Sequence, residues 1–141
     1  LLRSFQDRFP LVVEDLLDLP KKPAIVAEGF GFTPDLIGPV LPSQRHAVWL
    51  VPTEDFKRAS MERRNKPSFQ NVVSDPERAT SNVYLRDRLL AEELNAQAEA
   101  RGLTVYEVDG TRSIEEMAGL VQRHLRLSPA QEQSPTHRRA S

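Results

Sequence analysis

The chain has 141 residues, of which 39% are hydrophobic and 28% charged, and 19 basic side chains against 20 acidic ones leave a formal net charge of -1. That balance gives no overall field to hold a nucleic acid or an anionic membrane, and the lack of cysteine excludes disulfides, a cysteine-based zinc site and a thiol nucleophile. A packed core is feasible, no apolar run approaches the roughly 20 residues that cross a bilayer, and the expected compartment is the cytoplasm. The sequence opens at Leu1 with Met61 as its first methionine, so it reads as a fragment of a longer protein.

In chain order, the first predicted element is a helix over Leu11 to Leu19. Pro10 suits its first position, and Val12, Leu16 and Leu19 share one face. Ala24-Ile25-Val26-Ala27 follows, an apolar run without alternation that predicts a strand buried on both faces, and Ala47-Val48-Trp49-Leu50-Val51 predicts a second of the same kind. Thr53-Glu54-Asp55 then opens a helix with an N-cap and two acids in its first turn. The long segment after it is punctuated by Ser74-Asp75-Pro76-Glu77 at its start and Gly102 past its end, which predicts one helix of up to about 26 residues. Ala79, Val83, Leu90, Leu94 and Ala98 form its buried stripe, and Arg78, Asn82 and Arg86 a polar one. Leu103 to Val108 reads as the third strand, and Ser113 with Glu116 forms a capping box ahead of the apolar stripe Met117, Leu120, Val121 and Leu125. Strands alternating with helices predict an α/β domain over residues 1–126, a three-layer parallel sheet flanked by helices. Residues 127–141, rich in Ser, Pro, Gln and Arg, are expected to be a disordered tail.

Glu28, at the carboxyl end of the first predicted strand, is the leading functional acid, because ligands of open parallel sheets sit at strand carboxyl ends. The other reading is a loop cap or an arginine partner. After the second strand, Lys57, Arg58, Glu62, Arg63, Arg64 and Lys66 make a dense cationic run suited to clamping phosphoryl oxygens, or a solvated helix end. Arg78 and Arg86 follow on one stripe of the next helix, so two segments can aim guanidinium groups at the same ligand. His46, His124 and His137 are dispersed without metal-ligand spacing, so no metal is assigned to side chains of the chain, and no serine-hydrolase elbow occurs. His124 reads as a core-edge or helix-terminal residue and Trp49 as core.

This order of parts resembles the C-terminal two-thirds of a P-loop kinase of the nucleotide, nucleoside or shikimate kinase type. The resemblance rests on Ile25 to Gly29, His46 to Val51 with the arginine-rich lid Arg58 to Lys66, the Arg78 and Arg86 helix, and Val105 to Gly110 followed by Ser113 to Glu116. It implies ATP and Mg²⁺, with Glu28 near the metal or acceptor, Arg63 and Arg64 as lid arginines on the transferring phosphoryl group, Arg58, Arg78 and Arg86 on phosphate or substrate, and Asp109-Gly110 near the adenine. No phosphate loop of the form G-x-x-x-x-G-K-[ST] occurs, so on this resemblance the strand that bears it is absent from the chain. Two functions are expected from these residues. One is a fragment of an ATP-dependent phosphotransferase acting on a small molecule; the other is a noncatalytic α/β module that binds phosphate or a partner.

Overall fold

The computed structural model describes residues 2–64 and 72–127. Helices dominate: α1 (Leu2–Leu17), α2 (Pro34–Ile37), α3 (Glu54–Arg64), α4 (Pro76–Ala100) and α5 (Ile114–Leu125), with two strands, β1 (Trp49–Pro52) and β2 (Val105–Val108). The strands pair in parallel, Trp49 opposite Val105 and Pro52 opposite Val108. A parallel pair cannot be joined by a tight turn, and here α3 and α4 make the crossover.

The long helix begins and ends where its punctuation says. Asp75 is the N-cap, its Oδ1 accepting the Arg78 amide at 2.9 Å, and Pro76 takes the first helical position, where no amide hydrogen is needed. At the other end Gly102 adopts φ +62°, the Leu103 amide donates to the Ala98 carbonyl at 2.9 Å and the Gly102 amide to that of Glu99 at 3.1 Å. These two bonds define a Schellman turn, and its customary apolar contact joins Ala98 to Leu103 in the core. The turn reverses the chain directly into β2. The capping box is also present: Ser113 Oγ accepts the Glu116 amide at 3.1 Å while Glu116 Oε2 accepts the Ser113 amide at 2.7 Å.

The core is small and lies between the sheet and α4. Trp49, Val51, Ala98 and Leu103 are buried, Ala98 to 1% exposure and Trp49 to 8%, with Ile37, Leu41, Ala47, Ala91 and Val105 packed around them. The Trp49 indole donates to the Phe32 carbonyl at 2.7 Å, which satisfies its polar atom and ties the loop before α2 to the sheet. Arg101 Nε donates to Asp35 Oδ1 at 2.8 Å and the Asp35 amide to Gln97 Oε1 at 3.1 Å, so α2 is held against the end of α4. On the other face of the sheet, Tyr106 meets the His124 ring of α5 edge-on, and His124 Nε2, facing a carbonyl that can only accept, donates to Ala47 at 2.8 Å. His124 is thus a core-edge residue and Trp49 a core residue, as their sequence settings suggest.

The three-layer parallel sheet does not form: the structure is mostly helical, with two short parallel strands among the described residues. Ala24 to Ala27, the expected first strand, is irregular and exposed, Val26 to 62%. Four apolar residues between Lys22-Pro23 and Gly29 carry no strand without a neighbour to receive their backbone groups, so water serves them instead. The second strand forms but is buried on one face only, since Leu50 is 48% exposed. The first helix starts at Leu2 and runs through Pro10, contrary to the start expected after it. Proline forfeits one backbone bond, and the stripe Phe5, Phe9, Val12 and Leu16 carries the helix across it, with Phe5 edge-on to Phe30 at 5.6 Å. Lys66 and residues 128–141 of the expected tail lie outside the described residues.

Because Gly102 needs a left-handed backbone and a Cβ there would stand 2.9 Å from the Gln44 side chain, Gly102→Ala is expected to destabilise the fold by about 1–2 kcal/mol. Urea unfolding of both chains measures it. An unchanged midpoint would mean that the turn is not required.

Candidate functional site

Thr53 closes β1 and starts α3. Its hydroxyl accepts the Phe56 amide at 3.2 Å, its carbonyl accepts the Lys57 amide, and its own amide donates to the Val108 carbonyl at 3.0 Å, so the ends of both strands and the start of α3 are fixed together. Across from them lies the middle of α4. Between these elements, at the carboxyl ends of the parallel strands, a cleft of about 300 Å³ opens. Its floor is apolar (Val51, Pro52, Ala91, Val105) and its walls are polar: Thr53, Glu54 and Lys57 on one side, Tyr84, Asp87, Arg88, Glu92 and Asn95 on the other, and Glu107 on β2.

The charges on these walls are largely paired. Glu54 Oε1 receives both Nε and Nη2 of Arg58, at 3.1 and 2.6 Å, and the Arg58 guanidinium lies 4.2 Å over the Tyr84 ring. The hydrogen bonds from Arg58, and then its positive charge, hold the Glu54 carboxyl below the usual carboxylate range, and Glu54 in turn raises Arg58. Asp87 is the least exposed acid of the cleft. Its Oδ1 accepts from Arg86 Nε at 2.8 Å, and Lys57 Nζ stands 3.1 Å from Oδ2 without the alignment of a hydrogen bond, so Oδ2 is buried with a charge partner but no bonded donor. Arg88 Nη1 and Glu92 Oε1 are 4.0 Å apart, a loose pair. A second, shallower hollow of about 440 Å³ lies at the opposite ends of the strands. Its polar groups are already spent, Gln44 Nε2 donating to the Arg101 carbonyl and Arg101 to Asp35.

The residues expected to act together are not brought together. Glu28 lies in the exposed segment before α2, and among the described residues no hydrogen bond or ion pair links it to an arginine. Arg63 and Arg64 stand exposed on the last turn of α3, and Arg78 on the first turn of α4. Arg58 and Arg86 reach the margin of the cleft, each through the acid that it neutralises. Asp109 accepts the Thr111 amide at 2.9 Å and its hydroxyl at 2.7 Å, which closes the turn after β2. Gly110, at φ +86°, lets that turn pass against Phe56, where a Cβ would come within 2.9 Å of the ring. Asp109 and Gly110 therefore shape the loop beside the cleft and do not line it.

Sequence reasoning missed Tyr84, Asp87, Asn95 and Glu107. A signal was present: Tyr84, Arg88, Ala91 and Asn95 recur at helical spacing, a second stripe of α4 beside the apolar one. Compared with known proteins, the chain matches no family model, no curated protein and no solved structure. No helix among the described residues is long and apolar enough to cross a membrane.

The bonds from Thr111 hold the Asp109 carboxyl below its usual range. Its folded-state value thus lies below the unfolded one, near the ordinary figure of about 3.9. The turn's contribution is complete above that figure and is lost as the pH falls through the folded value. A carboxyl titration by NMR is expected to place Asp109 below the ordinary value and Thr111→Val to move it upward. An Asp109 midpoint at the ordinary value would contradict the turn.

Proposed function

We propose that this chain is a noncatalytic, mostly helical binding module that receives a small polar ligand in the cleft at the carboxyl ends of β1 and β2. One observation carries the reading. Of the two cations that line the cleft, Lys57 stands 3.1 Å from Asp87 and Arg88 lies 4.0 Å from Glu92; Arg58 at the margin is bonded to Glu54, and Arg63, Arg64 and Arg78 stand outside the lining. Phosphoryl transfer requires positive charge free to meet the charge that develops on the transferring group, and groups already spent on carboxylates do not supply it.

The residues present do not fit ATP and Mg²⁺. Among the described residues no group of three or more His, Asp or Glu is placed to hold a metal ion. The Asp109 carboxylate is taken up by Thr111, Gly110 packs on Phe56, and no glycine-rich loop offers its amides to a phosphate. What the cleft does offer is a preformed apolar floor with polar groups around it, the usual make-up of a small-molecule site, at the small end of the customary size range of about 300–1,000 Å³.

Incubation of the chain with Mg-ATP and a panel of small hydroxyl acceptors is expected to consume no ATP above the buffer rate. Reproducible turnover, abolished by Arg63→Ala with Arg64→Ala, would overturn the noncatalytic reading in favour of a kinase-like one.

A further inference from the structure

We infer that the cleft takes a small cationic amine on a short apolar chain, with Glu107 receiving the ammonium group. The inference rests on the reading of the cleft as a ligand site and adds the chemistry of the ligand. Of the four acids in the lining, Glu54 is bonded to Arg58, Asp87 lies between Lys57 and Arg86, and Glu92 has Arg88 at 4.0 Å. Glu107 is left over: among the described residues it makes no ion pair and no hydrogen bond, and the carboxamide of Asn95 across the cleft makes none either.

The strand geometry gives this surplus its place. Glu107 is in register with Val51, and the two-residue period puts it on the same side as Val105, facing α4. An alkyl chain laid on Val51, Ala91 and Val105 leads to a carboxylate and an amide oxygen, both acceptors, which is what an ammonium donates to. An anionic ligand of the same shape would meet Glu107 as a like charge and would have to displace Asp87 or Glu92 to reach Lys57 or Arg88. Glu107 is exposed, so a neutral alcohol would leave it hydrated and would gain no charge-assisted bond from it.

Amide proton–nitrogen correlation spectra of the full chain, titrated with butylammonium, butyrate and butanol in turn, test this. Butylammonium is expected to shift the amides of Thr53, Lys57, Asn95 and Glu107 saturably, and the other two probes to leave them in place. Glu107→Gln should weaken butylammonium binding about tenfold, one decade of affinity per about 1.4 kcal/mol. Glu99→Gln, outside the lining, should bind as the natural chain does, and Glu107→Lys should lose the ammonium and accept butyrate. Unchanged dispersion away from the cleft reports that each variant is folded. Butyrate or butanol shifting these amides as strongly as butylammonium, or full affinity in Glu107→Gln, would overturn the amine assignment and leave the cleft as a ligand site. If none of the three probes shifts them, both the assignment and the ligand-site reading fall.

Discussion

Trp49 carries more of this structure than any other side chain. It is the largest residue of a core in which few apolar side chains are buried, it packs with Val51, Ala98 and Leu103, and its indole bond to the Phe32 carbonyl secures the loop before α2. A two-stranded sheet is marginal in water without a helix to cover it. The contact of Trp49 and Val51 with the α4 surface at Ala91 and Ala98 supplies that cover, so the sheet exists because the helix lies on it. The Schellman turn then fixes where β2 begins, and the cleft is the space left where α4 continues past the strand ends. Removing bulk at Trp49 therefore acts on the cleft as well as on the core, although Trp49 does not line it.

Features set by local chemistry were legible in the sequence. The limits of α4 follow from Asp75, Pro76 and Gly102, and the start of α5 from Ser113 and Glu116, because caps depend on residues a few positions apart. The sheet was less legible. Ala24 to Ala27 and Ala47 to Val51 look alike as apolar runs, yet one is irregular and the other pairs, since only the second finds a partner in Val105 to Val108. Pairing is a long-range property that composition does not carry. The helix around Pro10 fails in the opposite direction: a local breaker is overridden by an apolar stripe that spans it.

The same division holds for the site. The arginines were conspicuous in the sequence, but charge in a sequence has no sign of its neighbours: in the fold Arg58 is matched by Glu54 and Arg86 by Asp87, while Arg63, Arg64 and Arg78 stand exposed and apart from the cleft. The exposed pair of Arg58 and Glu54 adds little stability. The residue left unmatched, Glu107, is inconspicuous in the sequence, because it stands in an ordinary strand between Tyr106 and Val108 and acquires its meaning from Asn95 across the cleft. Resemblance to a phosphate-handling architecture directed attention to residues with matching order, whereas the cleft draws on Tyr84, Asp87 and Asn95 from the face of α4 that this order left aside.

Amide hydrogen exchange under native conditions tests most directly whether the sheet and α4 form one unit around Trp49. The Trp49 amide, bonded to the Thr104 carbonyl at 3.1 Å, and the Leu103 amide, bonded to Ala98 at 2.9 Å, are predicted to exchange only through global opening, with the free energy of urea unfolding. The amides of α1, which the core does not include, are predicted to exchange through smaller openings at lower free energy. Exchange of Trp49 and Leu103 as fast as that of α1, or protection centred on α1, would contradict the account.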